Sequence, residues 1–144
     1  MNTEQIKRVQ ASFEQVQPIA ETAARLFYDR LFALDPSLRP LFKGDLLHQG
    51  RMLMWMLNSA VKGLTDLDAL VPVVRKLGAR HVQYGVRDEH YATVGSALLW
   101  TLEQGLAEQF TPAVRDAWVA AYELLAGTMQ AGALQASPAQ AVAA

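Results

Sequence analysis

The chain has 144 residues, 13 Lys and Arg against 14 Asp and Glu, a formal net charge of -1 and 51% hydrophobic residues. That length suits one domain able to enclose a ligand, and the balanced charge lacks the basic stripe that nucleic acid or an anionic membrane surface requires. With no cysteine, disulfides, thiolate catalysis, cysteine zinc sites and iron–sulfur clusters are excluded, so any metal must use His, Asp, Glu or Tyr.

Apolar residues recur at helical spacing almost throughout, with no alternating stretch between hairpin turns, so an all-α class is expected. The first helix runs from about Asn2 to Gln17, places Ile6, Val9, Phe13 and Val16 on one face, and is closed by Pro18. A second carries Ala20, Ala24, Phe27, Leu31 and Leu34. In "DPSLRPLF", Asp35 caps a short helix, Pro36 fits its first position and Pro40 keeps it short. A longer helix from about Leu46 to Lys62 carries Leu53, Met56, Leu57 and Ala60, with Gly63 as its stop.

"TDLD" predicts a capping box between Thr65 and Asp68. Because proline is tolerated in a first turn, Pro72 moves the expected start of the next helix to Asp68 or later; it ends near Tyr84 with Gly85 as its cap. A further helix spans about Asp88 to Ala107, and Thr111-Pro112 opens the last, which contains Trp118, Tyr122, Leu125 and Met129. The low-complexity end divides the chain into a domain over 1–132 and a flexible tail over 133–144. About seven unequal helices favour crossed packing over a four-helix bundle. No stretch has the length and apolarity of a signal peptide or a membrane span, so a cytoplasmic protein is expected, with neither nucleic acid nor membrane as partner.

Polar residues interrupt the apolar stripes on four helices. His81 follows Leu70, Val74 and Leu77; Gln49 heads Leu53, Met56 and Ala60; Tyr28 lies in line with Ala24 and Leu31; Tyr91 precedes Val94 and Leu98. Each could be a core residue bonded to a carbonyl, but together they imply a shared cavity. The three histidines have no zinc-like spacing, and His90, near a helix start, is expected to face solvent. One inward histidine in an apolar pocket suits a metal already held by another ligand set, such as a macrocycle. The chain carries no glycine-rich phosphate loop, nucleophile elbow or inward carboxylate pair.

"YDRLFALDPSLRPLF", "LGARHVQYGV", "HYATVGSALLWTL" and "DAWVAAYELLAGTM" resemble segments of the globin family, and the likeness runs to about Gly132. It is strongest toward bacterial single-domain haemoglobins of the flavohaemoglobin lineage, Hell's Gate globin foremost, and extends to neuroglobin. The resemblance implies a globin fold enclosing haem b (iron protoporphyrin IX), with His81 as axial ligand and Phe42 stacked on the macrocycle. It places Gln49 and Tyr28 on the distal side, Leu53, Leu77, Val86, Val94 and Leu98 in the walls, and Tyr91 beside the haem edge. A register shift of one residue would present His48 instead of Gln49. It also puts Ala133 where the lineage has a glutamate supporting the proximal histidine, which weakens electron donation toward oxygen–oxygen cleavage.

What the resemblance implies functionally is tight, slow binding of O2, with CO and NO as further ligands. Oxidation of NO to nitrate is the possible enzymatic activity, with Tyr28 and Gln49 as its working residues and a separate reductase as partner. The alternative is a sensor or interaction module on the same fold, with or without haem.

Overall fold

Helix boundaries follow the capping chemistry of the chain in most places. The computed structural model describes the backbone of residues 1–143 and their side chains, except those of Gln83 and of residues 135–143. Its helices are α1 (Thr3–Val16), α2 (Ala20–Leu34), α3 (Leu46–Gly63), α4 (Leu67–Gln83), α5 (Asp88–Leu106) and α6 (Pro112–Ala143). Short 3₁₀ segments occupy Gln17–Ile19, Pro36–Leu41 and Ala107–Gln109, and no strand occurs among the described residues. The all-α expectation holds. The short helix expected after Asp35 is the Pro36–Leu41 segment, wound as 3₁₀ because two prolines within it remove amide donors. Of the tail expected over 133–144, residues 135–143 have no described side chains and Ala144 lies outside the description.

Caps form where short polar side chains precede the helices. The Asn2 side chain accepts from the Gln5 amide (2.8 Å) while the Gln5 side chain accepts from that of Asn2 (3.1 Å). Asp35, Asp45 and Thr111 accept from the amides of Ser37, Leu47 and Val114. The capping box expected at "TDLD" does not form. Thr65 donates instead to the Lys62 carbonyl (3.1 Å), and α4 starts at Leu67 after Asp66, which makes no side-chain cap. Pro72 therefore sits within α4, beyond its first turn. Pro72 and Asp68 are both exposed, so water reaches the Asp68 carbonyl that the proline leaves without a donor. Two smaller expectations also shift: Gly63 is the last residue of α3 rather than its stop, and Leu34 is 42% exposed because α2 leaves the core after Leu31.

Val9, Phe13 and Val16 of α1 bury against Ala117, Trp118 and Ala121 of α6, and α1 also packs on α3 and α5. Val9 and Leu31 are fully enclosed, each worth roughly 1.5–3 kcal/mol of burial. Trp118 tilts against Phe13 (6.1 Å between ring centroids), and its indole N–H donates to Ser12 Oγ (2.8 Å), which itself donates to the Arg8 carbonyl (2.7 Å). The indole thus enters the core with its polar atom satisfied.

The most extensive helix pairing joins α4 to α6. It depends on two glycines: an ideal Cβ on Gly78 would lie 2.0 Å from the Met129 carbonyl oxygen, and one on Gly132 would lie 2.0 Å from that of Arg75. The two backbones therefore touch. Drawn onto α6, α4 contacts α3 only lightly. Gly78→Ala should drive the helices apart and cost about 1–3 kcal/mol in urea unfolding. Gly127→Ala, on α6 with nothing within 4 Å of the new carbon, should instead stabilise by up to about 1 kcal/mol.

Candidate functional site

His81 stands in the last turn of α4. Its Nδ1 lies 2.7 Å from the Leu77 carbonyl oxygen one turn earlier. A carbonyl can only accept, so Nδ1 carries the proton and Nε2 keeps its lone pair. Burial pushes the imidazole pKa below its usual 6.5, against the raising effect of the Leu77 bond and together with the nearby Arg80 charge, so the ring is neutral at pH 7. The turn beneath it is locked. The Val86 amide donates to the His81 carbonyl (3.0 Å) and the Gly85 amide to that of Val82 (3.1 Å), a double C-cap that Gly85 permits at φ 89°. Tyr84 sets its ring edge-on to His81 at 5.9 Å.

Tyr28 stands on α2 and Gln49 on α3. Tyr28 is buried, in edge contact with Phe27 (5.1 Å) and Phe42 (5.3 Å) and stacked near Phe32 (6.0 Å). Its hydroxyl points to the Gln49 backbone carbonyl at 3.5 Å, a long and weak bond. Burial pushes the phenol up to about 12, the Gln49 side chain pulling more weakly the other way. α2 and α3 meet this closely because of Gly50, where a Cβ would lie 2.9 Å from that of Ala24. Gln49 is half-buried and His48 exposed.

The remaining expected wall residues are half-buried or buried. Phe42, Leu53, Leu77, Val86 and Val94 are half-buried on inward faces, and Tyr91 and Leu98 are buried. Apolar side chains held inward yet incompletely covered form a cradle for a flat apolar guest. Among the described residues no three His, Asp or Glu side chains gather to hold a metal ion, so His81 offers a metal one protein ligand. Haem fits the chemistry of these residues: a basic nitrogen, incompletely covered apolar side chains, and two side-chain donors.

The four inward polar groups of the sequence do not form one network. Tyr28 meets Gln49, while His81 bonds within its own helix. Tyr91 uses its backbone, its carbonyl accepting from the Tyr122 hydroxyl (2.5 Å), and burial raises the pKa of both phenols. His90 departs from expectation: its Nδ1 accepts from the Arg87 amide (3.0 Å), closing the start of α5 instead of facing only solvent. Ala133 is half-buried and brings no carboxylate to the site. Sequence reasoning missed Tyr122 and Tyr84 as neighbours of the site. Tyr122 was legible through Gly95, whose missing side chain admits the Tyr122 ring (2.7 Å from an ideal Cβ), but only once the helices are paired.

The globin family pattern matches residues 25–129. The chain is 36% identical over 121 residues to a flavohemoprotein of Bordetella parapertussis, covering 82% of this chain and 30% of that protein. It is 28% identical over 129 residues to a flavohemoprotein of Bacillus subtilis, covering 88% and 32%. The chain thus spans about a third of the length of these relatives. Among solved structures, a bacterial globin from Campylobacter jejuni superposes with a TM-score of 0.80 at 25% identity, covering 93% of this chain and 97% of that one. An engineered carbene transferase from Rhodothermus marinus gives 0.88 at 23% identity, covering 98% and 99%, which shows the likeness of fold.

The Tyr28 phenol is held protonated in the fold up to about pH 12 but ionises near 10 in the unfolded chain. Its contribution to stability is therefore complete below pH 10 and lost as pH rises toward 12. Urea unfolding across that range should show a shallower alkaline loss in Tyr28→Phe than in the parent.

Proposed function

The chain belongs to the globin family, and we propose that it is a cytoplasmic haem globin in which His81 ligates the iron of haem b while Tyr28 and Gln49 receive a diatomic gas on the opposite face. The observation that carries this reading is the commitment of His81 Nδ1 to Leu77, which leaves Nε2 with its lone pair to offer a metal. Haem held there supplies a reducible iron that binds O2, CO or NO.

The residues of the chain then do three things. Burial keeps His81 neutral, and with an uncharged carbonyl as its partner and Ala133 in place of a carboxylate it donates electron density only modestly. That favours reversible gas binding over cleavage of a bound peroxide. Tyr28, protonated at every physiological pH and tied only by a 3.5 Å bond, can turn its O–H toward a guest that draws negative charge, and the Gln49 amide adds a second donor. The half-buried walls exclude water, which strengthens both hydrogen bonds. Each is worth about 1 kcal/mol or more, enough to slow gas release roughly five- to tenfold.

Two functions use one such site. Storage or transport of O2 needs binding alone. Conversion of NO and O2 to nitrate consumes one electron per turnover, which a separate reductase would supply. The likeness to flavohemoproteins supports the second, although this chain spans only about a third of their length.

Spectra of the ferric, ferrous and CO forms test the reading: the purified chain supplied with haem should show a Soret band that shifts with CO, and His81→Ala should lose or displace it. Tyr28→Phe should release O2 about tenfold faster in stopped flow. NO consumption by the oxygenated protein, sustained only when a reductase and its reductant are added, marks the dioxygenase; a single stoichiometric burst marks the carrier.

A further inference from the structure

The outer face of α3 carries an aromatic side chain that the fold leaves open. Of the three tryptophans, Trp118 donates to Ser12 and Trp100 lies under the Arg30 guanidinium (5.2 Å), but Trp55 is 66% exposed. Met52, one turn earlier on the same helix, is 43% exposed. Tryptophan and methionine are enriched where proteins meet, so two of them left open side by side mark a contact surface.

Both belong to one exposed stripe. Asp45, His48, Met52, Trp55, Ser59 and Lys62 are all exposed, and successive members are 3, 4, 3, 4 and 3 residues apart. That alternation keeps a single seam of a helix turned toward a neighbouring helix, here over about 26 Å. The spacing also reads the same from either end. A second copy of α3, related by a two-fold axis between Met52 and Trp55 and running antiparallel, therefore meets the stripe residue by residue. Met52 then faces Trp55 of the partner subunit, His48 faces Ser59 of the partner subunit, and Asp45 faces Lys62 of the partner subunit, each pair occurring twice.

Every one of these pairs is chemically complementary. A thioether packs well against an aromatic ring, and an imidazole and a hydroxyl exchange a hydrogen bond. Among the described residues neither Asp45 nor Lys62 is in an ion pair. Asp45 accepts from the Leu47 amide (2.9 Å), and its carboxylate keeps further lone pairs for an ammonium group. Arg51, beside the stripe, is already neutralised by Glu21 (3.2 Å). A parallel pairing would instead set Asp45 on Asp45 and Lys62 on Lys62, so the charges select the antiparallel one. Six side chains per subunit fall short of the roughly 20–30 of a standard interface, so the pairing is weak and concentration-dependent. We infer that the exposed stripe of α3 is the interface of a reversible two-fold homodimer, built from antiparallel α3 helices.

Analytical ultracentrifugation of the purified full chain, across roughly 1 μM to 1 mM, tests the inference. The mass should climb from monomer toward dimer, and the association should weaken at high salt as the Asp45–Lys62 pairs are screened. Met52→Glu alone and Trp55→Lys alone should each weaken association at least about tenfold. An equimolar mixture of the two variants should recover it, because the introduced carboxylate meets the introduced ammonium while the untouched Met52 and Trp55 pair across the axis as before. A parent chain that stays monomeric to the highest concentration overturns the inference, whether the face is bare or serves a different partner. A dimer that both single variants leave intact, or a mixture no stronger than its components, overturns it as well. The substituted positions are exposed, and unchanged circular dichroism separates lost association from lost fold.

Discussion

The hydrogen bond from His81 Nδ1 to the Leu77 carbonyl is the contact on which the site depends. It converts an ordinary helical spacing of four residues into a fixed tautomer and a fixed ring direction. The backbone around it is equally committed, since the His81 carbonyl accepts from Tyr84 (3.1 Å) and Val86 (3.0 Å) as the helix ends. An imidazole anchored in this way has already given up the conformational freedom that a freely rotating ring would lose on binding a ligand.

The helix that carries His81 is held chiefly by α6, where Gly78 and Gly132 let backbone lie on backbone. The α2–α3 crossing works in the same way through Gly50 and Ala24, and it draws Tyr28 and Gln49 to one place. Phe42, Leu53, Leu77, Val86 and Val94 stay only half-buried.

Much of this was legible from residue order. Helix faces followed from apolar spacing, and the caps at Asn2, Asp35, Asp45 and Thr111 form through the side chains that chemistry favours there. The errors have local causes. Thr65 and Asp68 had the spacing of a capping box, but the Thr65 hydroxyl found the Lys62 carbonyl first. Pro72 argued for a later helix start, and an exposed Asp68 carbonyl made the proline tolerable. His90 resembled a solvent-facing residue until the helix placed its ring beside the Arg87 amide.

Amino-acid order by itself determined which residues face inward, the absence of cysteine chemistry, and the identity of His81 as the histidine on a buried stripe, because these depend on composition and on a period of 3.6 residues. Only the tertiary structure decided that Tyr28 meets Gln49 and that Tyr122 reaches the Tyr91 carbonyl. Those relations join residues far apart in the chain, and they are set by the angles and distances at which helices cross. Such geometry is fixed by side-chain volumes acting together, with glycine at the closest approaches, and no local pattern encodes it.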